Sequence, residues 1–347
     1  MNGSFAGFLV HTEQDRRDLF EAAATRLDTS HSYVEKDFWV CLVLDAIYNQ
    51  LPGGHPGFLF KGGTSLSKAF DLIRRFSEDI DLVVNRNDLG FKGERDPIAA
   101  ENLSKSKRKA LFAELGEACS EYILGAFKAE LTRLLDEVTD GCQVVVDQDD
   151  KDGQTILVEY PTLYPSSEIA YVGPRVKIEA GARSALYPSL TRTIVPYISD
   201  DLSDSPIEVH NVSVVAPQRT YWEKLLILHG EYHRYEGSQC LPPDRNRLSR
   251  HYYDIAVITP TRTGKSALSD VGLMDDVRRH TLIAFPQKSK RFDLAVPGSV
   301  RLIPQPELSS VIERDYRAMR DMILGDAPDF GFLKEQLESA EAAINGA

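Results

Sequence analysis

Apolar residues recur at helical spacing through the first fifty or so positions. Residues 15–27 carry them along one side of a helix. Residues 35–48 begin with the charged triplet Glu35-Lys36-Asp37 and then turn strongly apolar. Pro52, Gly53, Gly54, Pro56 and Gly57 punctuate a loop. The short apolar run Phe58-Leu59-Phe60 reads as a strand that ends in a glycine turn at Lys61-Gly62-Gly63. Leu66, Ala69, Phe70 and Ile73 fall at i, i+3, i+4 and i+7, which predicts one face of a helix over 65–75. A strand is expected over 79–84, where Ile80, Leu82 and Val84 alternate with Asp79, Asp81 and Val83. Residues 103–138 read as a long helical region with a basic start at Lys105, Lys107, Arg108 and Lys109.

Strand-like runs follow at 143–146, 155–159, 175–179, 191–195 and 209–215. The acidic stretches 147–152 and 200–204 read as exposed loops between them. After Pro217 the pattern is helical again. Thr220-x-x-Glu223 is spaced like a capping box for the run to His233, and 310–323 and 331–344 predict two terminal helices. The layout is an α/β (α+β) fold: a mixed sheet with inserted helices, flanked by N- and C-terminal helical regions. The expected domains are 1–216, holding the N-terminal helices and the catalytic core, and 217–347, mainly helical.

Composition narrows the class. The chain has 347 residues, 40 basic and 52 acidic, and a net charge of −12. Such a chain is no general polyanion binder, so any nucleic acid partner must meet a local basic patch. Hydrophobic residues make up 42 % and charged residues 27 %, as in a globular protein. A chain this long buries about three quarters of its surface and needs no disulfide support. No apolar run approaches the ~18 residues of a membrane span. Residues 1–11 lack the basic-then-apolar order of a signal peptide. Cys41, Cys119, Cys142 and Cys240 are scattered without C-x-x-C spacing, which fits free thiols in a reducing cytosol and a cytoplasmic protein.

Chemistry concentrates between positions 60 and 81. Asp79 and Asp81 are two apart on a strand, so both carboxylates leave the same face, with Cα atoms ~7 Å apart. That pair suits a hard cation such as Mg²⁺, which binds through one or two carboxylates plus substrate phosphates. The turn Gly62-Gly63 opening a helix offers backbone N–H groups and the positive end of a dipole, with Thr64 and Ser65 adding hydroxyls. A phosphate cradle beside a carboxylate pair is what phosphoryl or nucleotidyl transfer needs. An Asp-x-Asp pair or a Gly-Gly turn alone is commonplace. The order strand, Gly-Gly-Thr-Ser, helix, Asp-x-Asp strand is far more specific.

That order resembles the nucleotidyltransferase fold of the DNA polymerase β superfamily. The string KGGTSLSKAF…RFSEDIDL resembles the AbiEii/AbiGii family of bacterial toxins in toxin–antitoxin and phage-abortive-infection systems. The blocks at 34–40, 177–184, 219–225, 250–255 and 314–345 resemble that family too, so the likeness covers most of the chain. One departure is that fourteen residues separate Thr64 from Asp79, slightly more than the usual gap. A longer helix–strand connection would absorb them.

The resemblance implies a Mg²⁺-dependent enzyme that moves NMP from an NTP to an RNA acceptor, the 3′ end of tRNA, and so blocks translation. It implies a cognate antitoxin; the lack of a membrane-length apolar run in the sequence predicts no membrane partner. Asp79 and Asp81 would hold the metal, and Gly62, Gly63, Thr64 and Ser65 the triphosphate. Glu179 would be the third carboxylate, which activates the acceptor hydroxyl, and Lys177 a triphosphate contact. Read as residues alone, Lys177 and Glu179 also fit a surface pair on an edge strand, worth under ~1 kcal/mol. Arg183 fits either a phosphate contact or a turn cap.

Lys224 lies in the first turns of its predicted helix, where a cation is electrostatically misplaced unless an anion docks. It would be a second phosphate contact, unless it snorkels to solvent. Glu223 fits a capping partner. Asp254 would orient Lys224 or an arginine, or help place the nucleotide; an Arg250–Asp254 helix salt bridge is the alternative. His229 and His233 have metal-ligand spacing, but Gly230 stands where an H-E-x-x-H motif needs its glutamate. They read as ordinary helix residues. Some members of the family are controlled by kinase-like antitoxins, for which Ser77 would be the target. RNA could meet the basic clusters at 105–109, at 245–250, or at Lys288, Lys290 and Arg291. The competing functions are an NTP- or RNA-binding module without turnover and nucleotidyl transfer onto a protein hydroxyl.

Overall fold

The computed structural model describes residues 3–164, 173–202, 206–241 and 247–346. Asp204 and Arg245, parts of an acidic and a basic stretch in the sequence, lie outside the described residues. The chain forms two compact units. The first comprises Met1–Ala69 and Phe76–Val215, and the second Phe70–Arg75 and Ala216–Ala347.

The first unit opens with α1 (Gly3–Leu9), α2 (Glu13–Leu27) and α3 (His31–Asp45). Thr12 and Ser30 cap α2 and α3, their side chains accepting from Asp15 N–H and Ser32 N–H. A wider π turn, Ala46–Gln50, continues α3. Then come β1 (Phe58–Lys61), α4 (Gly62–Lys68) and β2 (Ile80–Val84). The long helical region is α5 (Lys105–Tyr122) and α6 (Lys128–Asp136), joined through a π turn at Ile123–Phe127. Five strands follow: β3 (Gln143–Val146), β4 (Thr155–Glu159), β5 (Arg175–Gly181), β6 (Ser189–Ile194) and β7 (Val209–Val215).

Among the described residues seven strands make one mixed sheet in the order β3-β4-β5-β2-β1-β7-β6. The β1–β2, β3–β4, β4–β5 and β6–β7 pairs are antiparallel. The β1–β7 and β2–β5 pairs are parallel. Helix α3 packs against β5 and β7 and is buried on all sides, with Val34, Phe38, Trp39, Val40, Leu42 and Val43 in the core. A helix buried on every side needs no amphipathic stripe, and the charges it carries at Glu35, Lys36 and Asp37 are buried with it.

The stretch 65–75 departs from expectation. The helix ends at Lys68, and Phe70–Arg75 leaves it to join the second unit. There Arg75 forms a β-bridge with Ile323, and Leu324 N–H donates to the Arg74 carbonyl at 2.7 Å. Ile73 is apolar because it is buried there, not because it continues the face of α4. The extra residues between Thr64 and Asp79 are this excursion.

The second unit holds α7 (Pro217–Ser238), α8 (Ser249–Ile258), α9 (Arg262–Ser269), α10 (Val271–Ala284), α11 (Pro306–Met319) and α12 (Phe330–Asn345). No capping box forms on α7, because Pro217 at its first turn starts the helix three residues earlier. Thr220 is therefore buried inside the helix, and Glu223 pairs with Arg219 at 3.4 Å. His229 is fully buried and bonded at both nitrogens: Nε2 lies 3.1 Å from the Arg291 carbonyl, and Nδ1 accepts from Arg301 N–H at 3.2 Å. A carbonyl can only accept, so the ring is the neutral Nε2–H tautomer, and burial lowers its pKa to about 4. His229 is a structural tie. Among the described residues no helix is long and apolar enough to cross a membrane.

Candidate active site

Strand register assembles the carboxylates. In the parallel β2–β5 pair, Asp81 stands opposite Glu179, and in the antiparallel β1–β2 pair Lys61 stands opposite Asp81. Neighbouring strands lie ~4.8 Å apart, so Asp81 and Glu179 share one row and one face. Asp79, two residues before Asp81, belongs to the same face one row back. The turn after β1 closes against this row. Gly62 has φ +80°, and a Cβ built on it would collide with Asp81 Oδ2. Only glycine meets both demands, a left-handed backbone and a carboxylate against Cα.

Thr64 and Ser65 are buried, and their hydroxyls point inward. Thr64 Oγ1 lies 2.6 Å from the Asp79 carbonyl and 2.9 Å from Ser77 Oγ. Since the carbonyl accepts the single Thr64 proton, Ser77 supplies the proton of the second contact. Ser65 Oγ donates to the Gly62 carbonyl at 3.0 Å. These hydroxyls brace the turn and tie it to the strand carrying Asp79. What the turn offers a phosphate is backbone N–H: the N-cap, Lys61, makes no side-chain cap bond to α4.

Lys177 and Glu179 form the ion pair their spacing allows, at 2.6 Å, and Lys177 Nζ also reaches Asp147 Oδ2 at 3.5 Å. The strand is not an edge: β5 lies between β4 and β2. Partial burial alone would depress the Lys177 pKa, but Glu179, Asp147 and Asp79 outweigh it and hold the ammonium charged. Asp79 is different. Burial first, then the charges of Glu78, Glu179 and Asp81, push its pKa up to about 6. Lys36 works against this rise, its Nζ lying 2.5 Å from Glu78 Oε2. Arg183 stacks its guanidinium over the Phe112 ring, 5.2 Å from the ring centroid.

A divalent cation fits Asp79 and Asp81. Both are hard oxygen donors on one face, and the neighbouring carboxylates that add to the effect of burial on Asp79 are excess negative charge that a cation relieves. Among the described residues no three His, Cys, Asp or Glu side chains converge on one point, so protein ligands would number two, with Glu179 held aside by Lys177. Substrate oxygens and water complete such a shell.

Lys224 and Asp254 belong to the second unit. Lys224 is the eighth residue of α7, beyond the reach of its helix dipole, and its side chain is buried. Its Nζ lies 2.8 Å from Asp254 Oδ2. Arg75 meets the same carboxylate with two bonds, Nε to Oδ1 at 2.7 Å and Nη2 to Oδ2 at 2.9 Å. Burial alone would raise the Asp254 pKa, but the two cations outweigh it and hold it well below the usual carboxylate range. Asp254 is fully buried and orients both Lys224 and Arg75. Sequence reasoning missed Arg75, which lies 179 positions from its partner.

The basic clusters differ in availability. Lys105, Lys107 and Lys109 are exposed at the start of α5, while Lys290 pairs with Glu231 and Arg291 with Asp293. A cavity of about 640 Å³ lined by Gly93, Glu94, Ala100, Asn102 and Lys107 includes none of the carboxylates above.

A glycine turn packed on a row of acids within a mixed sheet is the arrangement expected of a nucleotidyltransferase fold. The family described as "Nucleotidyl transferase AbiEii toxin, Type IV TA system" matches residues 45–345, and the chain belongs to that family. It is thus a toxin nucleotidyltransferase of a type IV toxin–antitoxin system, with an NTP as substrate and an antitoxin as partner. Among solved structures it is similar to MenT4, a nucleotidyltransferase toxin from Mycobacterium tuberculosis H37Rv. The identity is 18 % and the TM-score 0.41, over 94 % of this chain and 98 % of that one. No curated protein matches it in sequence.

Proposed function

We propose that the enzyme transfers NMP from an NTP to the 3′ end of tRNA in the cytoplasm, with Mg²⁺ as its metal, and so arrests translation. The observation that carries this is the in-register row of Asp81 and Glu179, with Asp79 behind it and Gly62 pressed against Asp81. Asp79 and Asp81 hold the cation, which when bound neutralises phosphate charge as the transfer proceeds. Backbone N–H groups of the turn at Gly62, Gly63, Thr64 and Ser65 receive phosphate oxygens. Lys177 adds a cation on the same face, and Asp254 fixes Lys224 within its own unit.

Glu179 accepts the proton of the acceptor hydroxyl. That oxygen bonds to the α-phosphorus, the bond from the α-phosphorus to the bridging oxygen breaks, and pyrophosphate leaves. The exposed lysines at the start of α5 are the cluster we assign to RNA phosphates.

The test is incubation of the full chain with each labelled NTP and total tRNA, beside Asp79→Ala. Label on tRNA from the wild type and none from the variant supports the proposal. Wild-type protein that labels no RNA with any NTP sinks it, and a labelled protein band in lysate would redirect it to a protein hydroxyl.

A further inference from the structure

Three consecutive charges lie in the second turn of helix α3, and all three side chains are buried. Glu35, Lys36 and Asp37 are exposed by only 1 %, 3 % and 4 %. Charges this deep destabilise a fold unless each is paired. Successive helix residues point ~100° apart, so three neighbours must find partners on three sides. Glu35 takes the loop after β4, its Oε1 accepting from Leu163 N–H at 2.7 Å and Oε2 from Thr162 Oγ1 at 2.6 Å. Asp37 takes Lys68 Nζ at 2.7 Å and Tyr197 N–H at 2.7 Å. Lys36 takes Glu78 Oε2 at 2.5 Å.

Two of these three partners bound the active site. Lys68 is the last residue of α4, the helix that opens at Gly62, and Glu78 immediately precedes Asp79. Residues 76–79 lie outside any helix or strand. Their anchors are the Thr64 hydroxyl on the Asp79 carbonyl, the Ser77–Thr64 contact and the Lys36–Glu78 ion pair. Phe76 adds a ring stacked on Tyr33 of α3 at 4.2 Å between centroids. On the far side of the acidic row, Lys177 serves Glu179 and Asp147. Lys36 supplies the ammonium on the near side. Without it, the Glu78 carboxylate would stand beside Asp79 with that countercharge gone and would swing toward water, pulling its neighbour with it.

We propose that Lys36 is a positioning residue for nucleotidyl transfer, fixing the Asp79 carboxylate relative to the Gly62 turn through its ion pair with Glu78. This role rests on Asp79 holding the metal in the reaction proposed above. Lys36 is buried and its ammonium is bonded to Glu78, so it acts through that ion pair and through its charge beside Asp79. The triplet therefore divides its labour: Lys36 and Asp37 set the two arms of the site, and Glu35 anchors the helix elsewhere.

The experiment uses the full chain and measures NMP transfer against NTP and against Mg²⁺ concentration. The variants are Lys36→Met, Lys36→Arg, Glu78→Gln, the double variant Lys36→Met/Glu78→Gln, Asp79→Ala, and Glu35→Gln as the structural comparison. Lys36→Met should lose about 10- to 100-fold in kcat, the scale of an ångström-sized misplacement. The Mg²⁺ concentration for half-maximal rate should rise severalfold, with the NTP KM nearly unchanged. Lys36→Arg should recover most of the rate. The double variant should be no slower than the worse single one, because the two residues act as one unit.

Glu35→Gln should lower thermal stability without moving the Mg²⁺ requirement. If Lys36→Met does not fold, Lys36→Arg and the double variant, which leaves neither charge buried alone, carry the same comparison. An active wild type, an inactive Asp79→Ala and Lys36 variants with unchanged kcat and Mg²⁺ requirement overturn the role of Lys36 alone. So does a double variant that loses the product of the two single effects. Wild-type protein that transfers no label overturns the reaction and this role together.

Discussion

Gly62 shows how much one missing Cβ decides. Its φ of +80° lies where L side chains are strained, and the space a Cβ would need holds Asp81 Oδ2. Gly62→Ala must either change the turn or displace the carboxylate. The backbone strain costs about 1–3 kcal/mol, and a carboxylate displaced by about 1 Å costs about 100-fold in turnover. Label transfer by purified Gly62→Ala should fall by that order while circular dichroism stays native. An unchanged rate would mean that Asp81 is not held where it must act. The same scale explains Thr64 and Ser65. A hydroxyl beside a glycine turn suggests a phosphate donor, but each of these is spent on the protein's own carbonyls, 2.6 and 3.0 Å away.

Among the elements, α3 and α4 are joined by a pair that neither could bury alone. Asp37 and the Lys68 side chain are both buried, 2.7 Å apart, with the Lys68 ammonium also 3.8 Å from the centre of the Tyr197 ring. Burial would depress Lys68, but Asp37, Cys41 and Tyr197 outweigh it and hold its pKa above the usual value. Removing one partner of a buried pair strands the other, at about 3–5 kcal/mol. Lys68→Met should therefore shift chemical denaturation by that amount. Lys68→Met with Asp37→Asn should recover part of it, since no lone charge remains. Additive losses in the double variant would show that the pair is not coupled.

Helix α8 carries the corresponding ion cluster of the second unit. Asp254→Asn leaves Arg75 and Lys224 facing each other without a counterion, at about 3–5 kcal/mol near neutral pH. The Asp254 pKa is depressed below its unfolded value. Its contribution is thus complete above the ordinary carboxylate pKa of about 4 and drains away as pH falls toward the folded-state value. The stability gap between wild type and Asp254→Asn should narrow on acidification below about pH 4 in denaturation curves. A gap independent of pH would contradict the assignment.

For the whole molecule, the net charge of −12 sets how RNA can be approached. With most of the surface repelling phosphate, binding must pass through a local basic face, and it should be steeply salt-dependent. Each pair of duplex phosphates neutralised costs about tenfold in affinity for a fourfold rise in salt. Replacing Lys105, Lys107 and Lys109 together with Ser should weaken tRNA binding at low salt and flatten its salt slope, while leaving the KM for NTP alone. An unchanged slope would move the RNA face elsewhere.

The strands were legible in the chain alone, because period-two apolar patterns mark any strand half-buried in a sheet. It determined the Gly-Gly turn and the Asp-x-Asp pair, whose geometry is local: two residues on one strand share a face wherever that strand goes. The same holds for Lys177 and Glu179. Only the tertiary structure set Asp81 beside Glu179, since strand order and register depend on pairing between segments 98 positions apart in the chain. It also ended α4 at Lys68, where the apolar pattern ran on because Ile73 is buried in a different unit. The Asp254 partners and the three partners of Glu35-Lys36-Asp37 were beyond the sequence for the same reason. A buried charge announces that it needs a counterion, but which distant residue supplies it is fixed by how the chain folds back on itself.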